Sequence, residues 1–156
     1  MPGSAEERTS ESYFVYATGE KAKSLVIFVH GVLGDSHETW RRTPNGPGWP
    51  ELLVKDPTRP STDSLSIGFK SAPLSSSSNI EELANRVSQM LIDQGIFEHY
   101  DNIAFVAHSM GGLIAKRAIL ILHSKKPESA SRIIHRPSPG LSCCGLQVAR
   151  AGLPRP

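Results

Sequence analysis

The chain has few cysteines and no long hydrophobic run, and each of these absences excludes a class of protein. Its only two cysteines, Cys143 and Cys144, are neighbours. Adjacent cysteines rarely bridge each other, so a disulfide framework is excluded and a reducing compartment is favoured. No apolar stretch approaches the roughly 18 residues of a membrane-spanning helix, and the polar N-terminus has no apolar signal core. We therefore expect an intracellular, cytoplasmic protein without a transmembrane segment.

Acidic residues are missing from the C-terminal end of the chain. Residues 1–128 hold 13 Lys and Arg and all 15 Asp and Glu, whereas residues 129–156 hold four Arg and no acid. The formal charge of +2 therefore arises in one short, proline-containing stretch. So small a basic segment indicates a solvated tail, and we expect no nucleic-acid partner.

Strand-like and helix-like segments alternate along the first 126 residues. The run Leu25 to Val29 is continuously apolar, which is typical of a strand buried on both faces. Residues 49–55 are predicted to form a short helix, and residues 80–94 carry apolar side chains at helical spacing. This alternation predicts an α/β fold with a mostly parallel sheet and helices on both faces.

The pattern is weak at both ends of the chain. Residues 1–11 are polar and are predicted to be disordered. The folded domain is expected to span residues 12–136, with a further strand beginning near Ser131 to His135. Proline and glycine without apolar periodicity fill residues 137–156, which we interpret as a disordered or aberrant tail.

The most informative motif is Ala107-His-Ser-Met-Gly-Gly112. It lies between a predicted strand, Ile103 to Val106, and a predicted helix from Gly111 to about His123. A nucleophile elbow typically has a serine between a strand and a helix, with a small residue two positions before it and a glycine two positions after it. The sharp turn needs small residues on both sides, here Ala107 and Gly111. Ser109 is therefore the predicted nucleophile.

A second glycine motif, His30-Gly-Val-Leu-Gly34, directly follows the strand that ends at Val29. Acyl transfer passes through a tetrahedral intermediate whose negative oxygen needs backbone N–H donors. We predict that one donor is the N–H of Met110, at the start of the helix, and the other that of Val32. The supporting residues of the two motifs are expected to be His30, Gly31, Gly34, Ala107, His108, Gly111 and Gly112.

Together these motifs resemble the α/β-hydrolase superfamily. Thr39-Trp40, Trp49-Pro50 and the basic pair Lys116-Arg117 add to the resemblance, which covers about residues 12–126. The chain is most similar to lipase-like serine hydrolases, in the group of the serine-active-site-containing protein and the GPI inositol deacylases. The resemblance implies hydrolysis of carboxylic esters, with lipid esters as candidates and peripheral contact with a membrane, and it requires no metal or organic cofactor.

The chain departs from the superfamily after the elbow. There the catalytic acid and then the histidine follow the serine, but only Glu128, His123 and His135 are available here. Twelve helical residues place His123 roughly 18 Å from the helix start, and Glu128 lies in a polar connection. We identify no triad acid or histidine and expect the C-terminal strands to be missing. The alternative function is therefore an inactive truncated isoform or an interaction remnant.

Other candidate residues have simpler interpretations. We expect His30 to be a loop-packing histidine and His108 to line or support the pocket. Asp35 is interpreted as a turn cap, with a substrate contact as the alternative. Trp40 and Trp49 are expected to be core or loop anchors, with a substrate platform as the alternative.

Overall fold

A computed structural model describes residues 12–19, 21–31, 33–69, 77–134 and 147–149. They form one sheet with the strand order β1-β3-β2-β4-β5. The strands are β1 (Tyr13–Val15), β2 (Ser24–Val29), β3 (Thr62–Ile67), β4 (Asn102–Ala107) and β5 (Gln147–Ala149). The central three strands are parallel, and the outer two run antiparallel to their neighbours. The predicted α/β fold with a mostly parallel central sheet is confirmed.

Five α-helices and one 3₁₀ turn connect these strands within the described ranges. They are the 3₁₀ turn (Glu38–Trp40), α1 (Trp49–Lys55), α2 (Ser77–Asp93), α3 (Ile96–His99), α4 (Gly111–Lys125) and α5 (Pro127–Ala130). Helix α1 has the predicted bounds, and α2 begins three residues before the predicted start. No helix in this part of the chain has both the length and the apolarity needed to cross a membrane.

The register of the parallel strands places their carboxyl ends at one edge of the sheet. Val29, the last residue of β2, lies opposite Ile67 of β3 and Ala107 of β4. The segments that follow these strands therefore leave the sheet side by side. Both sequence motifs begin at this edge, because His30 follows β2 and His108 follows β4.

Helices α2 and α4 cover one face of the sheet. Their apolar side chains pack on alternate residues of the three parallel strands in one continuous core. The strand contribution to this core is Leu25, Ile27, Val29, Leu65, Ile67, Ile103, Phe105 and Ala107. Since α1 lies on the opposite face, the prediction of helices on both faces is confirmed.

The opposite face is held partly by polar contacts. The hydroxyl of Ser64 in β3 donates a hydrogen bond to the carbonyl oxygen of Pro50 in α1 at 3.1 Å. The hydroxyl of Ser66 donates one to the carbonyl oxygen of Ser36 at 2.6 Å. A smaller apolar cluster includes Phe28 and Trp40, whose rings meet edge-on at 5.0 Å. Between α1 and the starts of the parallel strands lies an open cavity of about 820 Å³.

The outer edge of β4 pairs with two different segments. Near its start Ile103 bridges Ile133 in the parallel sense, and Ile134 N–H donates to Ile103 O at 2.8 Å. Near its end β4 pairs antiparallel with β5, with Val106 opposite Val148. Strand β5 lies within residues 137–156, so the expectation that this range contains no folded element is wrong for these three residues. The unpaired edge of β4 offers backbone groups that a short segment can satisfy despite its poor sequence pattern.

Candidate active site

Ser109 occupies a sharp turn between β4, which ends at Ala107, and α4, which begins at Gly111. Its backbone has φ of 54°, in the left-handed region that non-glycine residues rarely adopt. Such strain persists only where the surroundings impose it, and it is concentrated at functional sites. The serine is exposed to solvent at the carboxyl edge of the sheet.

The elbow is fixed to the neighbouring strand β2. The N–H of His108 donates to the carbonyl oxygen of Val29 at 3.0 Å. A Cβ atom on Gly111 would collide with the carbonyl oxygens of Val29 and His30. Because those oxygens belong to the backbone, they cannot move aside as a flexible side chain would. Glycine is therefore required here for helix α4 to begin so close to the sheet.

Backbone N–H groups converge at the start of α4. Gly111 N–H donates to His108 O and Gly112 N–H donates to Ser109 O, both at 3.0 Å. Among the described residues, the N–H of Met110 donates to no oxygen. A free donor at a helix N-terminus, beside the serine, suits a negatively charged oxygen. Val32, the second predicted donor, lies outside the described residues.

The loop that follows β2 packs directly against the elbow. A Cβ atom on Gly31 would lie 3.0 Å from both His108 O and the Cβ of Ser109, and 3.5 Å from the N–H nitrogen of Met110. Gly31 is thus the contact through which the two motifs meet. The structure brings together the two segments that the sequence placed in one site.

The side chain of His30 is completely buried behind this loop. Its Nδ1 lies 2.8 Å from Gly31 O, its Nε2 lies 3.3 Å from the backbone nitrogen of Phe69, and its ring stacks on Phe69 at 4.0 Å. Burial lowers the pKa of this histidine, against opposing effects of the Gly31 hydrogen bond and the Asp35 carboxylate. His30 is therefore neutral near pH 7 and does not face the serine as a base.

The second half of the loop is closed by Asp35 and Thr39. Asp35 Oδ1 accepts hydrogen bonds from the N–H groups of His37 at 2.7 Å and Glu38 at 2.6 Å. Thr39 Oγ1 accepts a hydrogen bond from Asp35 N–H at 3.1 Å. A Cβ atom on Gly34 would lie only 2.6 Å from the same oxygen. The carboxylate of Asp35 thus caps the 3₁₀ turn.

Two exposed leucines belong to the segments that form the site. Leu33, in the loop between Gly31 and Gly34, is 85% exposed and has φ of 60°. Leu113, in the first turn of α4, is 50% exposed. Both belong to the segments that form the elbow contact, so they are the exposed apolar side chains of these two segments.

No base for Ser109 is found in the described part of the chain. The serine hydroxyl makes no hydrogen bond to any of these residues. His123 lies near the far end of α4, and Glu128 lies in α5 beyond it. His135 falls outside the described residues, as do Cys143 and Cys144. Within the same limits, no group of three metal-ligating side chains comes together.

The two tryptophans differ in their burial. Trp40 is buried beneath β2, whereas Trp49 is 48% exposed at the cavity beside α1. That cavity is lined by Ser24, Thr62 and Asn102, which begin their strands, so it lies towards the edge of the sheet opposite Ser109.

One buried polar pair was not indicated by the sequence. The hydroxyl of Tyr100 donates to Asp63 Oδ2 at 2.8 Å, and Asp63 Oδ1 accepts from Ala17 N–H at 2.7 Å. Burial, with this carboxylate adding to it, raises the pKa of Tyr100. These side chains are distant in sequence and match no motif, so only the fold reveals their contact.

A parallel sheet with a strained serine between strand and helix defines the class of α/β-hydrolase-like serine esterases. The chain belongs to the family described as "Putative serine esterase (DUF676)", whose model matches residues 19–139. It is also 25% identical over 134 residues to Protein SERAC1 of Bos taurus, an alignment covering 72% of this chain and 20% of that protein. The chain thus spans about a fifth of the length of this curated relative. No solved structure matches the chain significantly.

Proposed function

We propose that this chain is a serine hydrolase of carboxylic esters with Ser109 as its nucleophile. The observation that carries this proposal is the left-handed backbone of Ser109 between β4 and α4. Membership in a serine esterase family supports the same reaction class.

The reaction proceeds through an acyl-enzyme. Ser109 Oγ forms a bond to the ester carbonyl carbon and loses its proton, and the C–O bond to the alcohol breaks as the alcohol takes up a proton. Water then attacks the acyl-enzyme, releases the carboxylic acid and restores the serine hydroxyl. The Met110 N–H and, by the same proposal, the Val32 N–H hold the oxyanion of both tetrahedral intermediates. Each such donor contributes about 3–4 kcal/mol to lowering the barrier.

The acceptor of the serine proton determines the rate. Since no described histidine or carboxylate contacts Ser109, we infer that the exposed hydroxyl gives its proton to solvent. A serine nucleophile without its histidine retains only the part of catalysis that comes from the oxyanion hole and substrate binding. We therefore expect slow turnover.

The apolar surface at the site favours esters with an apolar acyl group, including lipid esters. Leu33 and Leu113 are well exposed and belong to the two segments that meet at the elbow, so we infer that an acyl chain or the surface of a membrane contacts both. Burying a methylene group contributes about 0.8 kcal/mol, so affinity should increase with chain length.

The second candidate is a non-catalytic binding module. The lack of a hydrogen-bonded base at Ser109 in the described residues favours it. In that case the elbow would bind an ester or partner without cleaving it. The two candidates differ in whether Ser109 reacts.

A fluorophosphonate probe tests the proposal, with Ser109→Ala as the control. Wild-type protein should be labelled at Ser109, at a rate that rises with pH beyond 8 because hydroxide is the base. Added imidazole should accelerate labelling by acting as the base that the described residues do not supply to Ser109. A plateau above about pH 7 with no effect of imidazole would indicate a resident histidine instead. Absence of labelling under all conditions, in protein shown to be folded by near-UV circular dichroism, would favour the binding module.

A further inference from the structure

The exposed side of α4 differs in composition from that of α2, although both helices cover the same face of the sheet. The exposed side chains described on α2 are all polar and of mixed charge: Glu82, Arg86, Gln89 and Asp93. Such a mixture is typical of a helix face in contact with water. Helix α4 exposes instead two large apolar side chains, Leu113 at 50% and Leu120 at 59%.

The two leucines of α4 lie on one side of the helix together with a lysine. Lys116 is three residues after Leu113 and four before Leu120, and side chains at these spacings share one helix face. All three side chains are exposed. A rise of 1.5 Å per residue separates the leucines by roughly 10 Å along the axis, with Lys116 between them. These three residues are called the outer stripe.

The outer stripe carries positive charge that no described acid neutralises. Helix α4 contains no Asp or Glu from Gly111 to Lys125. The neighbouring Arg117 is neutralised by Glu81 of α2, because the guanidinium group donates to both oxygens of that carboxylate. Lys116, by contrast, forms no ion pair within the described part of the chain. An uncompensated ammonium group therefore lies between two exposed apolar side chains.

This combination is complementary to the surface of a membrane that contains anionic lipids. Leucine side chains can enter the boundary between headgroups and acyl chains, while a lysine keeps its ammonium group at the level of the phosphates. Each cation close to such a surface is attracted by its negative potential. The order of leucine, lysine and leucine along one helix face satisfies both requirements.

A protein groove fits the same face less well. A helix that docks in a protein groove presents apolar anchors at positions i, i+3, i+4 and i+7. Counted from Leu113, the positions i+3 and i+4 are Lys116 and Arg117, so only the first and last anchors are present. The charges interrupt the pattern that a groove requires, and they suit a headgroup layer.

We propose that the outer stripe of α4 is a docking surface for a membrane that contains anionic lipids. Helix α4 begins two residues after Ser109, so docking would bring the lipid surface to the helix that starts at the proposed nucleophile. This link to catalysis rests on the proposed esterase function. The binding itself requires no reaction at Ser109.

Vesicle flotation of the full-length protein tests the binding, and Ser109→Ala is included so that no hydrolysis is involved. Vesicles of phosphatidylcholine alone are compared with vesicles of phosphatidylcholine mixed with phosphatidylserine. Both proteins should bind the mixed vesicles at least about fivefold more strongly, and added salt should weaken this binding. Equal binding to both kinds of vesicle, or no binding to either, would overturn the proposal.

Substitutions in the outer stripe test its location. Lys116→Glu should weaken binding to the mixed vesicles about twentyfold, and Lys116→Gln should weaken it about fivefold. Leu120→Ser removes apolar contact and should weaken binding about fivefold. Thermal unfolding followed by circular dichroism identifies any variant that fails to fold, and the mild Lys116→Gln substitution keeps the test decisive in that case.

Helix α1, on the opposite face of the sheet, provides a matched control for each change. Lys55 is exposed and forms no ion pair with a described residue, and Leu52 is 50% exposed. Lys55→Glu changes the net charge as Lys116→Glu does, and Leu52→Ser removes an equally exposed leucine. Both should leave vesicle binding unchanged. Equal losses in the α1 and α4 variants would contradict a site on α4.

Sedimentation velocity distinguishes a second copy of the chain as the occupant. If the stripe joined two copies, the protein would be a dimer that Leu120→Ser converts to a monomer, and this result without vesicle binding would overturn the proposal. Fluorophosphonate labelling is scored separately. If Ser109 is never labelled, the esterase proposal fails, but flotation still decides whether the outer stripe binds anionic membranes.

Discussion

The α-carbon of Gly111 lies against the carbonyl oxygen of Val29, with no room for a side chain between helix α4 and strand β2. This contact fixes the position of the first turn of α4 relative to strand β2. Together with the hydrogen bond from His108 N–H to Val29 O, it holds Ser109 at the edge of the sheet.

Gly111→Ala should therefore be strongly destabilising. The added methyl group meets two backbone oxygens, and overpacking of this kind costs about 3 kcal/mol of unfolding free energy. Chemical denaturation measures the loss. Gly48→Ala is the control, because the Cβ there would meet the flexible carboxylate of Glu51 and the backbone has φ of −81°. Equal stability of the two variants would contradict the packing described.

The strained backbone of Ser109 should lower the free energy of unfolding. A variant that relieves the strain should therefore be more stable, although it lacks the nucleophile. Ser109→Gly and Ser109→Ala both remove the hydroxyl, but only glycine adopts φ of 54° without strain. The glycine variant should be about 0.5–1 kcal/mol more stable than the alanine variant, after allowance for the greater chain entropy of glycine. Urea unfolding of the pair checks this, and a less stable glycine variant would argue against strain.

A glycine substitution should have opposite effects on stability at two exposed leucines, Leu33 and Leu120. Leu33 has φ of 60° in a loop, whereas Leu120 lies within α4 and is 59% exposed. Leu33→Gly should raise the unfolding free energy by about 0.5 kcal/mol, because relief of strain exceeds the entropy cost. Leu120→Gly should lower it by about 1 kcal/mol.

The same Leu33→Gly variant tests the proposed acyl contact. Loss of apolar surface should reduce the preference of Ser109 for long-chain over short-chain alkyl fluorophosphonates by about tenfold, whereas Leu120→Gly should keep it. The substitution could instead leave labelling by soluble long-chain probes unchanged and reduce only the labelling measured in the presence of vesicles. In that case Leu33 contacts the membrane surface and not the acyl chain.

The buried pair of Asp63 and Tyr100 should contribute to stability. Tyr100→Phe leaves Asp63 Oδ2 without this donor, which costs about 1–3 kcal/mol. A double-mutant cycle with Asp63→Asn measures the coupling. Because the pKa of Tyr100 is raised in the folded protein, the contribution is complete below pH 10 and is lost as the pH rises above 10. Wild type should therefore lose more stability than Tyr100→Phe in this alkaline range.

Much of the fold could be predicted because local patterns determine it. The apolar run from Leu25 to Val29 and the amphipathic run after Ile80 have the periods of a strand and a helix, and both elements form. Helix α2 begins earlier than its apolar pattern, at Ser77, since polar residues in a first turn leave no periodic signal. The domain boundaries at residues 11 and 136 stay predictions.

The site was predictable only in part, for a different reason. Glycine and small-residue spacing reports steric limits of the backbone, so Ala107, Ser109 and Gly111 could be placed on an elbow from sequence alone. The dual bonding of His30 depends on Phe69, which follows another strand and matches no motif. Strand β5 was missed because backbone pairing with β4 needs no apolar pattern.

The serine side chains of β3 give helix α1 an unusual mode of attachment. Ser64 binds the carbonyl of Pro50, while Trp49 and Leu52 of the same helix remain about half exposed. Detachment of α1 would expose Pro50, Leu53 and the small cluster around Phe28, which is a smaller apolar set than the main core. Because denaturant sensitivity and heat capacity both scale with the surface exposed, such a local opening should depend less on urea and on temperature than global unfolding does. Helix α1 would then behave as a separately opening unit of the native state, distinct from the cooperative core around α2 and α4.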